Sequence, residues 1–222
     1  MLERILEPEY MDSASDAAEY DAMDFTDVNA SFADAVTTIA GNDAYILDLG
    51  TGTGRIPIMI AQRMPNVRIV AVDMASHMLT LGRQHVEQAG LTDRITLTRM
   101  DAKQLDCPTS HFDLVISNSL IHHIPSPLDT FREIARVMRP NAGLLIQDLF
   151  RPATTDELNG LVETYAADCN DYQRRLFTES LHAALTVDEV RRMITEVGLD
   201  GVDVQACSDR HWKASRVAKP AD

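Results

Sequence analysis

The chain has 222 residues, 45% hydrophobic and 24% charged, which excludes a wholly disordered protein and suits one domain with an extension. Its formal charge is −14, with 34 Asp and Glu against 20 Lys and Arg, whereas nucleic-acid binding needs clustered basic side chains, so no nucleic-acid partner is expected. No apolar run approaches the roughly 20 residues that span a bilayer. The opening MLERILEPEYMDSASD lacks the basic start and apolar stretch of a secretory signal, so no membrane association and a cytoplasmic location are expected.

Residues 1–30 carry nine acidic side chains and one basic, Arg4. Residues 1–40 are expected to form a helical arm or lid, and 41–222 the main domain. From Tyr45 onward strand-like and helix-like segments alternate. YILDL (45–49) is a short apolar run ending in a glycine-rich turn. Ile56, Met59, Ile60 and Met64 then lie near one helical face, with Pro57 in the first turn, where a missing N–H matters little. VRIVAVD (67–73) is a second strand, followed by a helix over about 76–88 that Gly90 closes. RITLT (94–98) and FDLVIS (112–117) are the third and fourth strands. Leu128, Phe131, Ala135 and Met138 mark a helix ended by Pro140, before a fifth strand, GLLIQDLF (143–150).

Residues 151–185 break the rhythm. Thr154 with Glu157 starts a helix whose apolar stripe is Leu158, Leu161, Val162 and Tyr165, and the polar stretch DCNDYQRR follows. This segment is expected to be a helical cap inserted after strand five. Thr186 with Glu189 opens a last helix, and GVDVQAC (201–207) with HWKASRVA (211–218) reads as an antiparallel hairpin. Continuous apolar strands alternating with helices give an α/β fold: a doubly wound, mostly parallel seven-stranded sheet with helices on both faces.

The chemistry concentrates in Asp48-Leu49-Gly50-Thr51-Gly52-Thr53-Gly54, between the first strand and the first helix of the alternation. Glycines there let the backbone turn sharply and approach a ligand, in the crevice where open α/β sheets bind. The dinucleotide pattern GxGxxG would need glycine at position 55, which is Arg55, and the phosphate-loop GxxxxGK is absent. Asp73, ending the second strand, suits the two hydroxyls of a ribose. Asp101-Ala102 follows the third strand and Ser117-Asn118-Ser119-Leu120-Ile121-His122-His123 closes the fourth.

With LDLGTGTG (47–54), VAVDMASHML (70–79), DA (101–102), FDLVISNSLIHHI (112–124) and RVMRPNAGLLIQD (136–148) in this order, the chain resembles the class I S-adenosylmethionine-dependent methyltransferases. The resemblance implies a Rossmann-like fold and in-line transfer of the S-adenosylmethionine methyl group to a small-molecule acceptor, leaving S-adenosylhomocysteine. It implies that Asp48, Gly50, Thr51 and Gly52 hold the methionine part. Asp73 would take the ribose and Met74 the adenine face. Asp101 and Ala102 would meet the adenine amino group, and Ser117 and Asn118 would lie near the sulfonium. An N-terminal tyrosine, Tyr20 or secondarily Tyr10, would close over the cofactor. No Asn-Pro-Pro-Tyr or Asp-Pro-Pro-Tyr follows the fourth strand, which weighs against nucleic-acid amino methylation.

His122 and His123 are the candidates for a general base. As adjacent residues with no visible third ligand they are not expected to bind a metal, and Cys107, Cys169 and Cys207 are too few and scattered for a disulfide framework or a zinc site. A nicotinamide-dependent reductase and a non-catalytic module that kept the cofactor fold are the competing readings.

Overall fold

The computed structural model describes residues 2–7 and 12–219. Among them seven strands form one sheet: β1 (Tyr45–Leu49), β2 (Arg68–Asp73), β3 (Ile95–Arg99), β4 (Phe112–Asn118), β5 (Met138–Leu149), β6 (Asp203–Ala206) and β7 (His211–Arg216). Their order is β3-β2-β1-β4-β5-β7-β6. The first five run parallel, and β7 lies antiparallel between β5 and β6. The order reverses between β1 and β4, and the crevice at the carboxyl ends of those strands is where such sheets bind ligands.

The helices are α1 (Ala14–Asp21), α2 (Thr26–Thr37), α3 (Arg55–Arg63), α4 (Ser76–Gln88), α5 (Pro127–Val137), α6 (Thr155–Tyr165), α7 (Asp171–Ala183) and α8 (Val187–Glu196). Strand alternation sends neighbouring side chains to opposite faces. Ile46 and Ile116 meet Phe32, Val36, Ile60 and Val86 on one face. Leu47 and Val115 meet Phe131, Ile134, Val190 and Ile194 on the other. Both faces are covered, so the strands read as unbroken apolar runs, and each fully buried aliphatic or aromatic side chain contributes roughly 1.5–3 kcal/mol.

Two boundaries differ from the sequence reading. Residues 26–37 are not part of an arm: Phe32, Ala33 and Val36 of α2 are buried in the sheet's own core. Met138 does not continue the helical face. α5 ends at Val137, and Met138 pairs with Phe112 at the start of β5. The register then jumps from Phe112↔Met138 to Leu114↔Gly143, which leaves Pro140, a residue with no ladder donor, in the irregular stretch.

Residues 151–185 contain two helices. Thr154 caps α6 by accepting from the Glu157 amide. The polar stretch supplies the reciprocal capping box of Asn170 and Gln173 that starts α7. The amino-terminal strap, residues 2–7, runs against the end of this insertion. Ile5 N donates to His182 O (3.2 Å), Arg4 Nε to Ala183 O (2.6 Å), and Arg151 Nε to Leu2 O (2.9 Å). No helix of the described residues is long and apolar enough to cross a membrane.

Candidate functional site

The glycine turn leaves β1 with Gly50, Gly52 and Gly54 all in the left-handed region, at φ +72°, +55° and +76°. The amides of Gly50 and Thr51 both donate to Val72 O, pinning the turn to β2. A Cβ on Gly50 would lie 2.8 Å from Leu120 Cβ, so only glycine admits the approach of the loop after β4. Beneath the turn Asp48 is buried, 3% exposed, and its Oδ2 has no hydrogen-bond partner among the described residues. Burial raises its pKa to about 7; the nearby Thr51 hydroxyl opposes the rise and the charge of Asp73 adds to it. Thr51 Oγ1 is likewise buried outside hydrogen-bonding geometry. A buried carboxylate with a vacant oxygen favours a cationic, hydrogen-bond-donating ligand.

Asp73 closes the other side. Its Oδ2 accepts from Gly52 N (2.8 Å) and its Oδ1 from Ala75 N (2.9 Å). Burial lifts its pKa while these amides oppose the lift. Each oxygen keeps a lone pair for a further donor. Met74 and Ala102 line a narrow cleft with Asp73, Asp101 and Leu120. Asp101 is partly engaged, accepting from Lys103 N at 2.8 Å and pairing with Lys103 Nζ at 3.1 Å. Asn118 ends β4 beside Gln147. Ser117 departs from expectation. It is fully buried and its hydroxyl donates to Leu49 O (3.0 Å), so it stitches β4 to β1 rather than facing the cleft.

Tyr20, on α1, brings a ring edge within 3.8 Å of the space above Gly52. Its hydroxyl pKa is pushed up by burial, then by Asp73 and Asp21, although the residue as a whole is 38% exposed. α1 is clasped to the body at its ends. Asp12 accepts from His77 N (3.1 Å), and Asp21 takes two bonds from Arg55 (3.1 and 3.0 Å). Tyr10 lies outside the described residues.

The histidines occupy a 3-10 turn, Ile121–His123, that brings their ring centroids to 4.0 Å. His122 is buried. Its Nδ1 is 2.5 Å from Asp148 Oδ1, and its Nε2 is 3.6 Å from Glu7 Oε1. Burial acts to lower its pKa, but the charge and hydrogen bond of Asp148, with Glu7, outweigh burial and raise it. Buried, with its Nδ1 held by Asp148, His122 is poorly suited to take a proton from an acceptor. His123 is the more open of the two, its side chain 29% exposed, with Nδ1 2.9 Å from Glu7 Oε1. Asp148 also accepts from the amides of Ile121 (2.5 Å) and His122 (3.3 Å), organising the turn. Glu7 and Asp148 were not singled out by the sequence. Asp148 carried a faint signal, a carboxylate within an apolar strand, while Glu7 sat within an acidic run. The tight turn brings the two rings together, and the strap places Glu7 beside them, with ligand-type atoms of all three within 4.8 Å of one another.

A larger depression, about 900 Å³, lies at the opposite, amino-terminal ends of the strands, against Tyr45, Arg68 and Asp113. Two of its arginines are already satisfied, Arg139 by Asp113 and Arg94 by the carbonyls of Met64 and Pro65, and the crevice rule points away from it.

Residues 41–198 match the family model of the methyltransferase domain. The chain is 25% identical over 170 residues to the ubiquinone/menaquinone biosynthesis C-methyltransferase of Pseudomonas fluorescens, covering 71% of this chain and 65% of that one. It is 32% identical over 161 residues to the malonyl-[acyl-carrier protein] O-methyltransferase of Geobacter sulfurreducens, covering 72% and 57%. The chain thus spans less than two thirds of either relative. Among solved structures, a Methanococcus maripaludis protein superposes with a TM-score of 0.73 at 18% identity, covering 98% of this chain and 99% of that one. A SAM dependent methyltransferase from Aquifex aeolicus gives 0.66 at 17%, covering 92% and 98%. Both likenesses establish the fold.

Proposed function

The chain belongs to the methyltransferase domain family, and on that premise we propose that it transfers the methyl group of S-adenosylmethionine to a small-molecule acceptor. The observation that carries this reading is the unpartnered Oδ2 of the buried Asp48 beneath the glycine turn. An amino-acid ammonium supplies the donor and the positive charge that this oxygen lacks. The residues fit the group in other respects. Asp73 offers free lone pairs to a ribose, Met74 and Ala102 offer an apolar wall to a base, and Asp101 offers an acceptor to an amino group. The cleft between them holds about 50 Å³, so a nucleoside enters as the flexible Met74, Met100 and Leu120 side chains shift.

Bound S-adenosylmethionine supplies a methyl carbon already activated by its positive sulfur. The chain's part is to orient the acceptor against that carbon and to keep water out, and orientation of this kind supplies much of a barrier's reduction. The strap, the insertion α6–α7 and α1 with Tyr20 are the elements suited to enclose the acceptor, because all of them lie at the carboxyl ends of the strands. Where the acceptor carries a proton, His123 is the imidazole suited to receive it, oriented by Glu7. The acidic lining and the formal charge of −14 favour a small acceptor over a nucleic acid. The two relatives named above are a C- and an O-methyltransferase, so relatedness leaves the acceptor atom to chemistry at this end of the cleft.

A nicotinamide reductase is disfavoured because Arg55 occupies the position of the third dinucleotide glycine. Calorimetric titration separates the readings. S-adenosylmethionine is expected to bind with micromolar affinity, about −8 kcal/mol, and NAD is not. Asp73→Ala is expected to weaken the binding by about 1.5–3 kcal/mol, the worth of hydrogen bonds to a charged acceptor. Comparable binding of NAD, or unchanged affinity in folded Asp73→Ala, overturns the assignment. Binding without turnover to S-adenosylhomocysteine identifies a non-catalytic module.

A further inference from the structure

Glu7, His122 and His123 each present one ligand-type atom to a common point, and these atoms lie within 4.8 Å of one another. We propose that they form a site for one divalent transition-metal ion, held by Glu7 Oε1, His122 Nε2 and His123 Nδ1. The proposal rests on the methyltransferase reading only for what the ion would do there.

The spacing fits. Ligand atoms about 2.0–2.1 Å from an ion lie about 2.9 Å apart along an octahedral edge and about 3.4 Å apart along a tetrahedral one. The carboxylate oxygen is 2.9 Å from one imidazole nitrogen and 3.6 Å from the other. The supporting contacts fit as well. Histidines that bind metals give their other ring nitrogen to a carboxylate or carbonyl, which fixes the ring and its tautomer. Asp148 does this for His122 at 2.5 Å, leaving Nε2 turned toward Glu7. Ser180 Oγ donates to both oxygens of Glu7, at 3.3 and 3.2 Å.

A separate observation points to something between the donors. His123 Nδ1 is buried and, despite lying 2.9 Å from Glu7, has no aligned hydrogen bond among the described residues. A ring nitrogen set beside a carboxylate and a second imidazole suits a cation. The frame is also tied down. Arg4 donates to the carbonyls of His122 (3.3 Å), Ile124 (2.9 Å) and Ala183 (2.6 Å), joining the strap that carries Glu7 to the turn that carries both histidines.

Two imidazoles and one carboxylate select zinc, cobalt, iron, nickel or copper over magnesium and calcium, whose preferred ligands are oxygens. Three protein ligands leave at least one position open, as in catalytic sites. The open side is that of His123, the more exposed of the two imidazoles. There the ion would hold an acceptor oxygen or sulfur and lower its pKa, and His123 would then be a ligand rather than a base.

The test is titration of the full, metal-stripped chain with cobalt(II), followed by its visible spectrum, and with zinc(II), followed by calorimetry. One ion per chain and ligand-field bands of a site with nitrogen ligands are expected. Glu7→Gln and His123→Ala should each weaken binding at least tenfold, and Asp148→Asn by about 10–100-fold. His77→Ala, at the exposed pair with Asp12, should change nothing. Each variant is checked for S-adenosylmethionine binding, which keeps loss of metal apart from loss of fold. Absence of bands at millimolar cobalt, or affinity unchanged in Glu7→Gln and His123→Ala, overturns the proposal and leaves the cluster a proton relay. Metal binding without S-adenosylmethionine binding overturns the methyltransferase reading and leaves the metal site standing.

Discussion

The two ends of the cleft, one proposed for the cofactor and one for the acceptor, are built in opposite ways. At the cofactor end every group comes from a short stretch at a strand terminus: Asp48 to Gly54 after β1, Asp73 to Ala75 after β2, Asp101 and Ala102 after β3. Its geometry is backbone geometry, set by three left-handed glycines and by amides that donate to Val72 O and Asp73. At the acceptor end the groups are far apart in the chain. Ser180 holds Glu7 across 173 residues, and Asp148 holds His122 across 26. Local backbone constraint leaves a sequence signature, because few residues tolerate it. A cluster assembled by side chains from distant segments leaves none.

The largest expected effects fall at the acceptor end. His123→Gln should reduce turnover about 10²–10⁴-fold, the usual worth of general-base help, and by loss of the ion where the ring is a ligand, with cofactor affinity nearly unchanged in either case. His122→Ala should act on stability instead. Removing one partner of a buried pair leaves the Asp148 charge uncompensated and typically destabilises by about 3–5 kcal/mol. Denaturant unfolding beside steady-state kinetics distinguishes the two, and a reversed pattern would mean that the roles are exchanged.

Next comes the backbone at the cofactor end. Gly50→Ala meets a positive φ and the side chain of Leu120 at 2.8 Å. Strain of about 1–2 kcal/mol and overpacking of about 1–3 kcal/mol should together lower stability and displace the turn. Unfolding that stays within 0.5 kcal/mol of the parent would show that the loop after β4 yields.

The smallest effect belongs to α1. Arg55→Ala removes the bonds to Asp21, but Arg55 is half exposed, and surface pairs contribute about 0–1 kcal/mol. Stability should hardly change, while hydrogen exchange in α1 should quicken. Unchanged exchange would mean that Ala17 against Ala75 and Met78, with Asp12 and His85 at the ends, holds α1 without Arg55.

How far the sequence could be read follows the same division. The sheet, its hairpin and the glycine turn after β1 are legible because apolar strands and glycine turns are local signals. Ser117 misled because a hydroxyl at a strand end looks the same whether it faces a ligand or a neighbouring carbonyl. α2 was set apart with the acidic arm because charge counts hid its buried Phe32, Ala33 and Val36. The capping box at Asn170 was masked by the polarity that caps require. Glu7 was illegible, since nothing near it in sequence distinguishes it from the other acids of the first 30 residues.

The central claim is that Asp48 awaits the cationic end of S-adenosylmethionine. Without ligand its pKa is about 7, whereas pairing with an ammonium requires the ionised form. Below pH 7 the carboxylate must therefore lose a proton for the ligand to bind, and affinity should fall about tenfold for each further pH unit. Above pH 7 affinity should level off. Calorimetric titration of S-adenosylmethionine between pH 5.5 and 8.5, with Asp48→Asn in parallel, measures this directly. The account predicts a slope below pH 7 in the parent and a weaker, flat profile in Asp48→Asn. A flat profile in the parent, or an Asp48→Asn protein that binds as tightly, would contradict it.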